Sequence, residues 1–227
     1  QAFKTWLADR DGAFRDGIEV VAMDGFTGFK TAAAEEIPDA VTVMDPFHVV
    51  ALVGDKLDRC RQRVQRETLG HRGRSGDPLY GIRRVARTRA SLLTEKQQHR
   101  LAKVLADERH VAFEVTWSIY QDVIDAYQAP DPAEGKKIMT RVIDAIKAGV
   151  PAGLDELRSL GQTMKRRRDD ILAFFDHPGT SNGPTEAING LLEHLRGTAR
   201  GFRSIVNYIA RCLLDAGGFR PMIHSLL

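Results

Sequence analysis

Three acidic residues lie where their carboxylates could bind divalent metal ions. Asp24 ends the apolar run IEVVAMD, Asp45 ends the shorter run AVTVMD, and Glu186 lies near the start of the helical segment GPTEAINGLLEHL. Carboxylates held within about 4–6 Å of one another repel unless a cation neutralises them. Hard oxygen ligands favour Mg²⁺ or Mn²⁺ over zinc. A pair of such ions would suit phosphoryl transfer, so the three acids are candidate metal ligands.

Each acid also has a structural interpretation. Asp24 could cap the helix that follows it, and Asp45 precedes Pro46, a natural first residue of a helix. If Gly183 is the N-cap of its helix, Glu186 stands at the third position (N3), where free backbone amides and the helix dipole favour a carboxylate. The local sequence leaves the capping and metal-binding interpretations open.

The face of the Glu186 helix favours a functional role. Glu186, Asn189 and Glu193 recur at i, i+3 and i+7, which places them on one side of a helix. A separate apolar stripe is formed by Ile188, Leu191, Leu192 and Leu195. A polar, acidic stripe beside aspartates at the rim of a sheet could complete a metal site.

The elements that must position these residues are a short sheet and many helices. The runs ending at Asp24 and Asp45 predict two strands joined by a helix, an arrangement that implies parallel pairing and a mixed α/β class. Sites in open α/β sheets usually lie at the carboxyl ends of such strands. Beyond Asp45 the pattern predicts a long helix, a glycine-rich loop over 69–81 and mostly helices from 95 to 176, so the protein should be mostly helical.

A strongly basic block occupies residues 59–100. It holds twelve Lys or Arg residues against three acids, whereas the whole chain of 227 residues has a net charge of only +3. Such a block attracts a phosphate backbone, because each contact releases condensed counterions. The alternative is a solvated basic surface. A second charged run, KRRRDD at 165–170, is interpreted as a charged, exposed helical face rather than a binding element.

Composition bounds the class of protein. Hydrophobic residues make up 43% and charged residues 28% of the chain, and no apolar run approaches the roughly 18 residues of a membrane span. No signal peptide opens the sequence, so a soluble, intracellular protein is expected. Cys60 and Cys212 lack metal-ligand spacing and are expected to be reduced thiols. A helical pattern begins almost at once, near Phe3, which suggests a start inside a longer protein.

The motifs together resemble one known family. Two segments closely resemble the DDE-type transposases of the ISL-three insertion-sequence family. They are VVAMDGFTGFKTAAAEEIPDAVTVMDPFHVV and, further along the chain, SNGPTEAINGLLEHLRGTARGFRSIVNYIARCLLDAGGFRP. The resemblance covers essentially the whole chain. It implies an RNase H-like catalytic domain in which acids on the first strand, the fourth strand and a late helix bind two Mg²⁺ or Mn²⁺ ions.

The resemblance also implies roles for individual residues. Asp24 looks like the second catalytic acid and Glu186 like the third, while Asp45 and His48 match a supporting D-x-F-H-V motif. The choice between Asp24 and Asp45 as the second acid stays open at this point. Asn182 and Asn189 are expected to orient ligands or contact DNA.

The same resemblance predicts an incomplete site. The family's first catalytic aspartate lies on an earlier strand. Asp9, Asp11 and Asp16 lie in predicted helices or loops, so they cannot replace it. The chain is therefore expected to be a carboxy-terminal portion that is inactive alone. The predicted divisions are an RNase H-like part (1–50), a helical insertion (51–178) and the late helices of the core (179–227).

The implied partners are transposon ends and target DNA, bound by a homo-oligomer in the bacterial cytoplasm and nucleoid, without a membrane. The predicted DNA-binding residues are Arg59, Arg63, Arg66, Arg72, Arg74, Arg83, Arg84, Arg87 and Arg89. Two alternatives stay open. One is a truncated, inactive copy that only binds DNA or oligomerises, and the other is a nuclease of related fold that cuts without joining.

Overall fold

The computed structural model describes residues 2–71 and 73–216, which form a mixed α/β structure that is mostly helical. This confirms the predicted class and content, while the RNase H-like topology stays a prediction. The chain divides into two compact units, the first ending at Thr180 and the second beginning at Ser181. The predicted divisions at 50/51 and 178/179 stay predictions.

The sheet of the described chain consists of two parallel strands. Strand β1 (Val20–Met23) pairs with β2 (Val41–Met44), and the register places Met23 opposite Met44. Because both strands run in the same direction, the residues that follow them lie at the same edge of the sheet. The predicted strand-helix-strand order is therefore confirmed, and Asp24 and Asp45 leave the sheet at matching positions.

Three helices flank this sheet in the sequence. They are α1 (Ala2–Ala8), α2 (Gly12–Asp16) and α3 (Thr27–Glu36), the last of which connects β1 to β2. Leu7 of α1 packs against Ala33 and Ile37 in a small apolar cluster. This cluster packs α1 against α3, the helix that connects the two strands.

The long helix α4 (Pro46–Leu69) is the central element of the first unit. Its buried apolar side chains recur every three or four residues, from Val49 through Val53, Leu57 and Cys60 to Val64. This spacing places them on one face of the helix. Helix α4 begins directly after β2 and continues without a break through the predicted boundary at 50/51. It therefore links the sheet to the helical part of the first unit.

The remaining helices of the first unit are α5 (Arg83–Ala86), α6 (Glu95–Leu105), α7 (Val111–Gln128), α8 (Pro132–Ala148), α9 (Asp155–Arg166) and α10 (Arg168–Asp176), with 3-10 turns at Ala90–Leu92 and Glu108–His110. Of these helices, α7, α9 and α10 pack against α4, and α8 packs against these three. The connection between α4 and α5 is anchored by the buried side chains of Leu79 and Ile82. Helix α10 also packs against β2, which joins the helical part to the sheet.

The second unit contains helices α11 (Gly183–Thr198) and α12 (Ile205–Ala216), which pack on each other. Between them lies an apolar cleft of about 430 Å³ lined by residues such as Ile188, Leu192 and Leu213. The predicted apolar stripe of α11 therefore faces α12 in part.

Candidate functional site

The two strand-end aspartates differ in their surroundings. Asp45 is 2% exposed, and its Oδ1 accepts hydrogen bonds from the backbone N–H groups of Phe47 at 2.7 Å and His48 at 3.4 Å. It is the N-cap of α4, with Pro46 at the first helical position. The capping interpretation of Asp45 is thus confirmed. His48 Nδ1 lies 3.7 Å from the same oxygen.

Asp24 is not the cap of the following helix. Its Oδ1 accepts a hydrogen bond of 2.7 Å from the backbone N–H of Phe26, and Phe26 itself is the N-cap of α3. The capping alternative is therefore wrong for Asp24: the chain makes a short turn before the helix begins, and the carboxylate orders that turn. Asp24 is partly exposed, so its carboxylate is more accessible than that of Asp45.

A tyrosine from the helical part lies close to this edge. The hydroxyl of Tyr127, at the end of α7, is buried without a hydrogen-bond partner among the described residues, and its ring stacks on Phe175. Burial, together with the negative charge of Asp45, raises the pKa of Tyr127. The phenol therefore keeps its proton at physiological pH, and its burial places a neutral polar group close to Asp45.

A buried arginine holds the turn that follows Asp24. Arg167, between α9 and α10, donates a hydrogen bond of 3.1 Å from Nη2 to the backbone carbonyl of Gly25. Its Nη1 lies 3.3 Å from Asp170 Oδ2. Arg167 and Asp170 are 5% and 2% exposed, so the interaction is shielded from solvent. The turn carrying the candidate acid is therefore fixed from the helical part.

Asp170 connects this arginine to the sheet. Its carboxylate accepts hydrogen bonds of 2.8 Å from Lys30 Nζ and from Thr42 Oγ1, on α3 and β2. The interpretation of KRRRDD as an exposed face is thus wrong for Arg167 and Asp170, because α10 turns both toward the sheet. Sequence reasoning missed them, since a charged run alone carries no signal for burial against a distant strand.

Glu186 lies in the second unit, on the exposed side of α11. The helix begins at Gly183 with Asn182 as its N-cap, so Glu186 is the fourth helical residue and not the third. The predicted cap at Gly183 is wrong by one residue, because the Ser181 hydroxyl accepts from the Gly183 N–H and the helix starts there. Asn189 is exposed on the same helix.

The edge of the sheet that carries Asp24 and Asp45 offers ligands for a hard cation but does not hold all the acids predicted for the site. Asp24 and Asp45 supply carboxylate oxygens, which suit Mg²⁺ or Mn²⁺. Within residues 2–71 and 73–216, no group of three or more His, Cys, Asp or Glu side chains forms a metal-binding cluster. The first unit therefore brings two of the candidate acids to one edge, and Glu186 belongs to the other unit.

Several predicted DNA-binding arginines are engaged in ion pairs. Arg63 donates two hydrogen bonds of 2.9 Å to Glu156 and one of 2.9 Å to Glu67, and the bonds to Glu156 raise the pKa of Arg63. These bonds tie α4 to α9, which gives Arg63 a structural role. Arg59 pairs with Asp55 at 2.9 Å, and Arg89 pairs with Asp125 at 3.3 Å.

Arg83 and Arg87 share one buried carboxylate. Asp58, 8% exposed, accepts from Arg83 Nε at 2.6 Å and from Arg87 Nη1 at 3.2 Å. The guanidinium of Arg87 lies close to Gly54 of α4. A Cβ atom at Gly54 would be 2.7 Å from Arg87 Nη2. A larger residue at Gly54 would require the Arg87 guanidinium to shift from this position.

Other predicted arginines have no acidic partner among the described residues. Arg66, Arg74 and Arg84 lie on α4, on the connection after it and on α5, and the side chains of Arg74 and Arg84 are exposed. The only side-chain bond of Arg66 in this part of the chain goes to the carbonyl of Gln62. Arg72 lies outside the described residues.

Comparison with known protein families identifies the family to which this chain belongs. A family model described as "Transposase", that of the ISL-three transposases, matches residues 1–212. The chain belongs to this transposase family. The match confirms the resemblance stated for the sequence and contains the sheet edge, the arginine-rich block and Glu186.

Two curated proteins are similar to this transposase-family chain. Both are the transposase for insertion sequence element IS1557 of Mycobacterium tuberculosis, from strains CDC 1551 / Oshkosh and ATCC 25618 / H37Rv. Each is 27% identical over 224 residues, which cover 89% of this chain and 49% of the relative. The chain thus spans about half the length of these relatives. No solved structure is significantly similar to it.

Within residues 2–71 and 73–216, no helix is both long enough and apolar enough to cross a bilayer.

Proposed function

We propose that this chain is a catalytic portion of a DNA transposase. Such an enzyme hydrolyses a phosphodiester bond at the end of an insertion sequence, and the freed 3′-hydroxyl then attacks target DNA. The observation that carries the proposal is that one family match, over residues 1–212, contains both Asp24 and Glu186. Transposon ends and target DNA are the proposed partners, bound by a homo-oligomer.

In this proposal Asp24 and Glu186 bind the divalent cations, Mg²⁺ or Mn²⁺. Asp24 is favoured over Asp45 as the second acid, because Asp45 is buried and its carboxylate caps α4. Two bound cations would activate the attacking oxygen and stabilise the leaving oxygen. Asp45 and His48 support the edge, and Asn182 and Asn189 orient ligands or contact DNA.

The complete site requires an acid beyond those assigned here. We propose that the first catalytic aspartate belongs to a longer protein with an RNase H-like core, of which residues 1–50 and 179–227 are parts and 51–178 a helical insertion. This longer protein, called the complete transposase below, is proposed to act in the bacterial cytoplasm and nucleoid.

The proposal predicts different results for the two strand-end acids in the complete transposase. Asp24→Asn removes a charged ligand, so Mg²⁺-dependent cleavage of a labelled transposon end should fall more than about 100-fold. This loss exceeds the usual effect of changing a residue that only hydrogen-bonds to a metal ligand. Asp45→Asn keeps an oxygen that can cap α4 and should retain most activity. The reverse order of effects would assign Asp45 as the ligand.

The arginines without an acidic partner among the described residues should contribute to the electrostatic part of DNA binding by this chain. Changing Arg66, Arg74 and Arg84 to Gln should weaken duplex binding and reduce the slope of log K against log salt by up to about 3, because each phosphate contact contributes about 0.9. Fluorescence anisotropy at several salt concentrations measures both quantities.

A matched control changes three cations elsewhere in the first unit. Lys137 and Arg158 pair with local acids, and Lys165 is exposed on α9, so their replacement by Gln makes the same change in net charge. This control should leave the salt slope unchanged. An equal loss in both triple variants would indicate a general charge effect and would return the block to the solvated-surface interpretation.

The two alternative functions are separated by one assay. A nuclease of related fold would cut the transposon end without joining it to target DNA. An inactive copy would bind DNA or an intact transposase and give neither product. Strand-transfer products from the complete transposase, detected on a sequencing gel, would exclude both alternatives.

A further inference from the structure

A second feature of the arginine-rich block is a cleft beside an exposed tyrosine. The cleft has a volume of about 430 Å³ and is lined by Arg61, Gln62, Arg66, Tyr80, Gly81 and Arg83. This volume lies within the range of about 300–1,000 Å³ that is typical of small-ligand sites. The three arginines provide phosphate-binding groups, and no acidic residue is among the described lining residues.

The charge of the cleft is strongly positive. Arg100 adds a fourth guanidinium, which lies 3.3 Å from the position of a Cβ atom at Gly81. The carboxylate of Asp58 lies 3.5 Å from Arg61 and 2.6 Å from Arg83. Asp58 is shared among Arg61, Arg83 and Arg87, so it offsets only part of this positive charge and the cleft favours an anionic ligand.

Tyr80 is fixed at the wall of this cleft. The flanking side chains of Leu79 and Ile82 are 1% and 0% exposed, so they anchor the segment in the core, whereas Tyr80 is 47% exposed. Arg61 donates to the carbonyl of Leu79 at 3.2 Å, and Arg100 donates to the carbonyl of Tyr80 at 3.0 Å. The aromatic ring therefore extends from a backbone held on both sides.

This combination differs from a surface that binds only duplex phosphates. A duplex backbone requires cations alone, whereas an exposed aromatic ring among arginines provides a platform on which an unpaired base can stack. Tyrosine and arginine together recognise the two parts of a nucleotide, its base and its phosphate. The backbone at Tyr80 is held in place by hydrogen bonds from Arg61 and Arg100, so stacking would not require this segment to become ordered.

We propose that the Tyr80 cleft binds one unpaired nucleotide of a DNA strand, with the base on Tyr80 and the phosphate among Arg61, Arg66 and Arg83. The inference rests on the proposed DNA binding by this block and adds a mode of binding to it. It assigns the cleft to single-stranded or distorted DNA, such as a strand end, rather than to the paired duplex.

The test uses the 227-residue chain and two labelled DNA duplexes of equal length. One is fully paired, and the other carries an unpaired 3′-terminal 2-aminopurine. The chain should bind the second duplex about 5- to 150-fold more tightly, the range expected for one stacked base, and should quench the 2-aminopurine fluorescence. Tyr80→Leu should abolish the preference and the quenching, while Tyr80→Phe should retain both.

Several outcomes would overturn the inference. Equal affinity for the two duplexes, or an unchanged preference in Tyr80→Leu with an unchanged unfolding temperature, would exclude base stacking while leaving salt-dependent DNA binding intact. Tyr80-dependent binding of deoxyadenosine monophosphate without any preference for the unpaired duplex would identify a free nucleotide as the ligand instead. Absence of any DNA binding would overturn the inference and the proposed DNA-binding role together.

Discussion

Replacing Glu186 with glutamine in the complete transposase is expected to reduce Mg²⁺-dependent cleavage and joining more than about 100-fold. Residues that hydrogen-bond to a metal ligand typically contribute 10- to 100-fold to activity, and loss of a charged ligand that binds the metal directly should exceed that range. The amide keeps nearly the same shape, and the residue is exposed on α11, so the fold should be unaffected. Gel assays of labelled transposon ends measure both reactions.

The same helix provides a matched control. Glu193 is also exposed on α11 and pairs with Arg196 at 3.4 Å, a surface contact of little energetic weight. Glu193→Gln makes an identical chemical change and should retain activity. DNA binding by Glu186→Gln should persist, which separates a loss of chemistry from a loss of substrate. Full activity of Glu186→Gln would contradict its assignment as the third acid.

Removing the Asp170 carboxylate is expected to cost the 227-residue chain about 3–5 kcal/mol in free energy of unfolding. Asp170→Ala would leave the guanidinium of Arg167 buried without its acid and would leave Thr42 without its acceptor. Lys30 is 39% exposed and can turn toward water, so it contributes less to this cost. Urea denaturation followed by circular dichroism measures the change.

Two further variants test the cause. Asp169→Ala changes the exposed neighbour of Asp170 in the first turn of α10 and should cost at most about 1 kcal/mol, the usual contribution of a charge at a helix terminus. Arg167→Met combined with Asp170→Leu replaces the buried ion pair by apolar side chains and should recover much of the lost stability. If Asp170→Ala and Asp169→Ala destabilise equally, the buried network is not a stabilising element.

This network also connects stability to the candidate site. Arg167 bonds the carbonyl of Gly25, the residue after Asp24, so loss of Asp170 should loosen the turn that carries the candidate ligand. In the complete transposase we therefore expect Asp170→Ala to raise the Mg²⁺ concentration required for half-maximal cleavage. Arg167 and Asp170 are positioning residues in this account, because they act on Asp24 through the backbone.

The sequence alone determined the local elements and the edge where two acids meet. An apolar run of strand length that stops at Asp24, a helix, and a second run that stops at Asp45 can fold as a parallel pair, which brings the two acids to one edge. Helical periodicity likewise predicted α4 and the helices after residue 95, and the combined motifs identified the family. These features depend on short-range patterns that a sequence displays directly.

Only the tertiary structure decided which charges are available. Twelve basic residues between 59 and 100 suggest a uniform DNA-binding block, yet Glu156 reaches Arg63 from 93 positions away and Asp125 reaches Arg89 from α7. Burial of Arg167 and Asp170 and the exposure of Tyr80 were decided in the same way. Long-range packing determines each of these pairings, because electrostatic partners are set by distance in space and not by spacing along the chain.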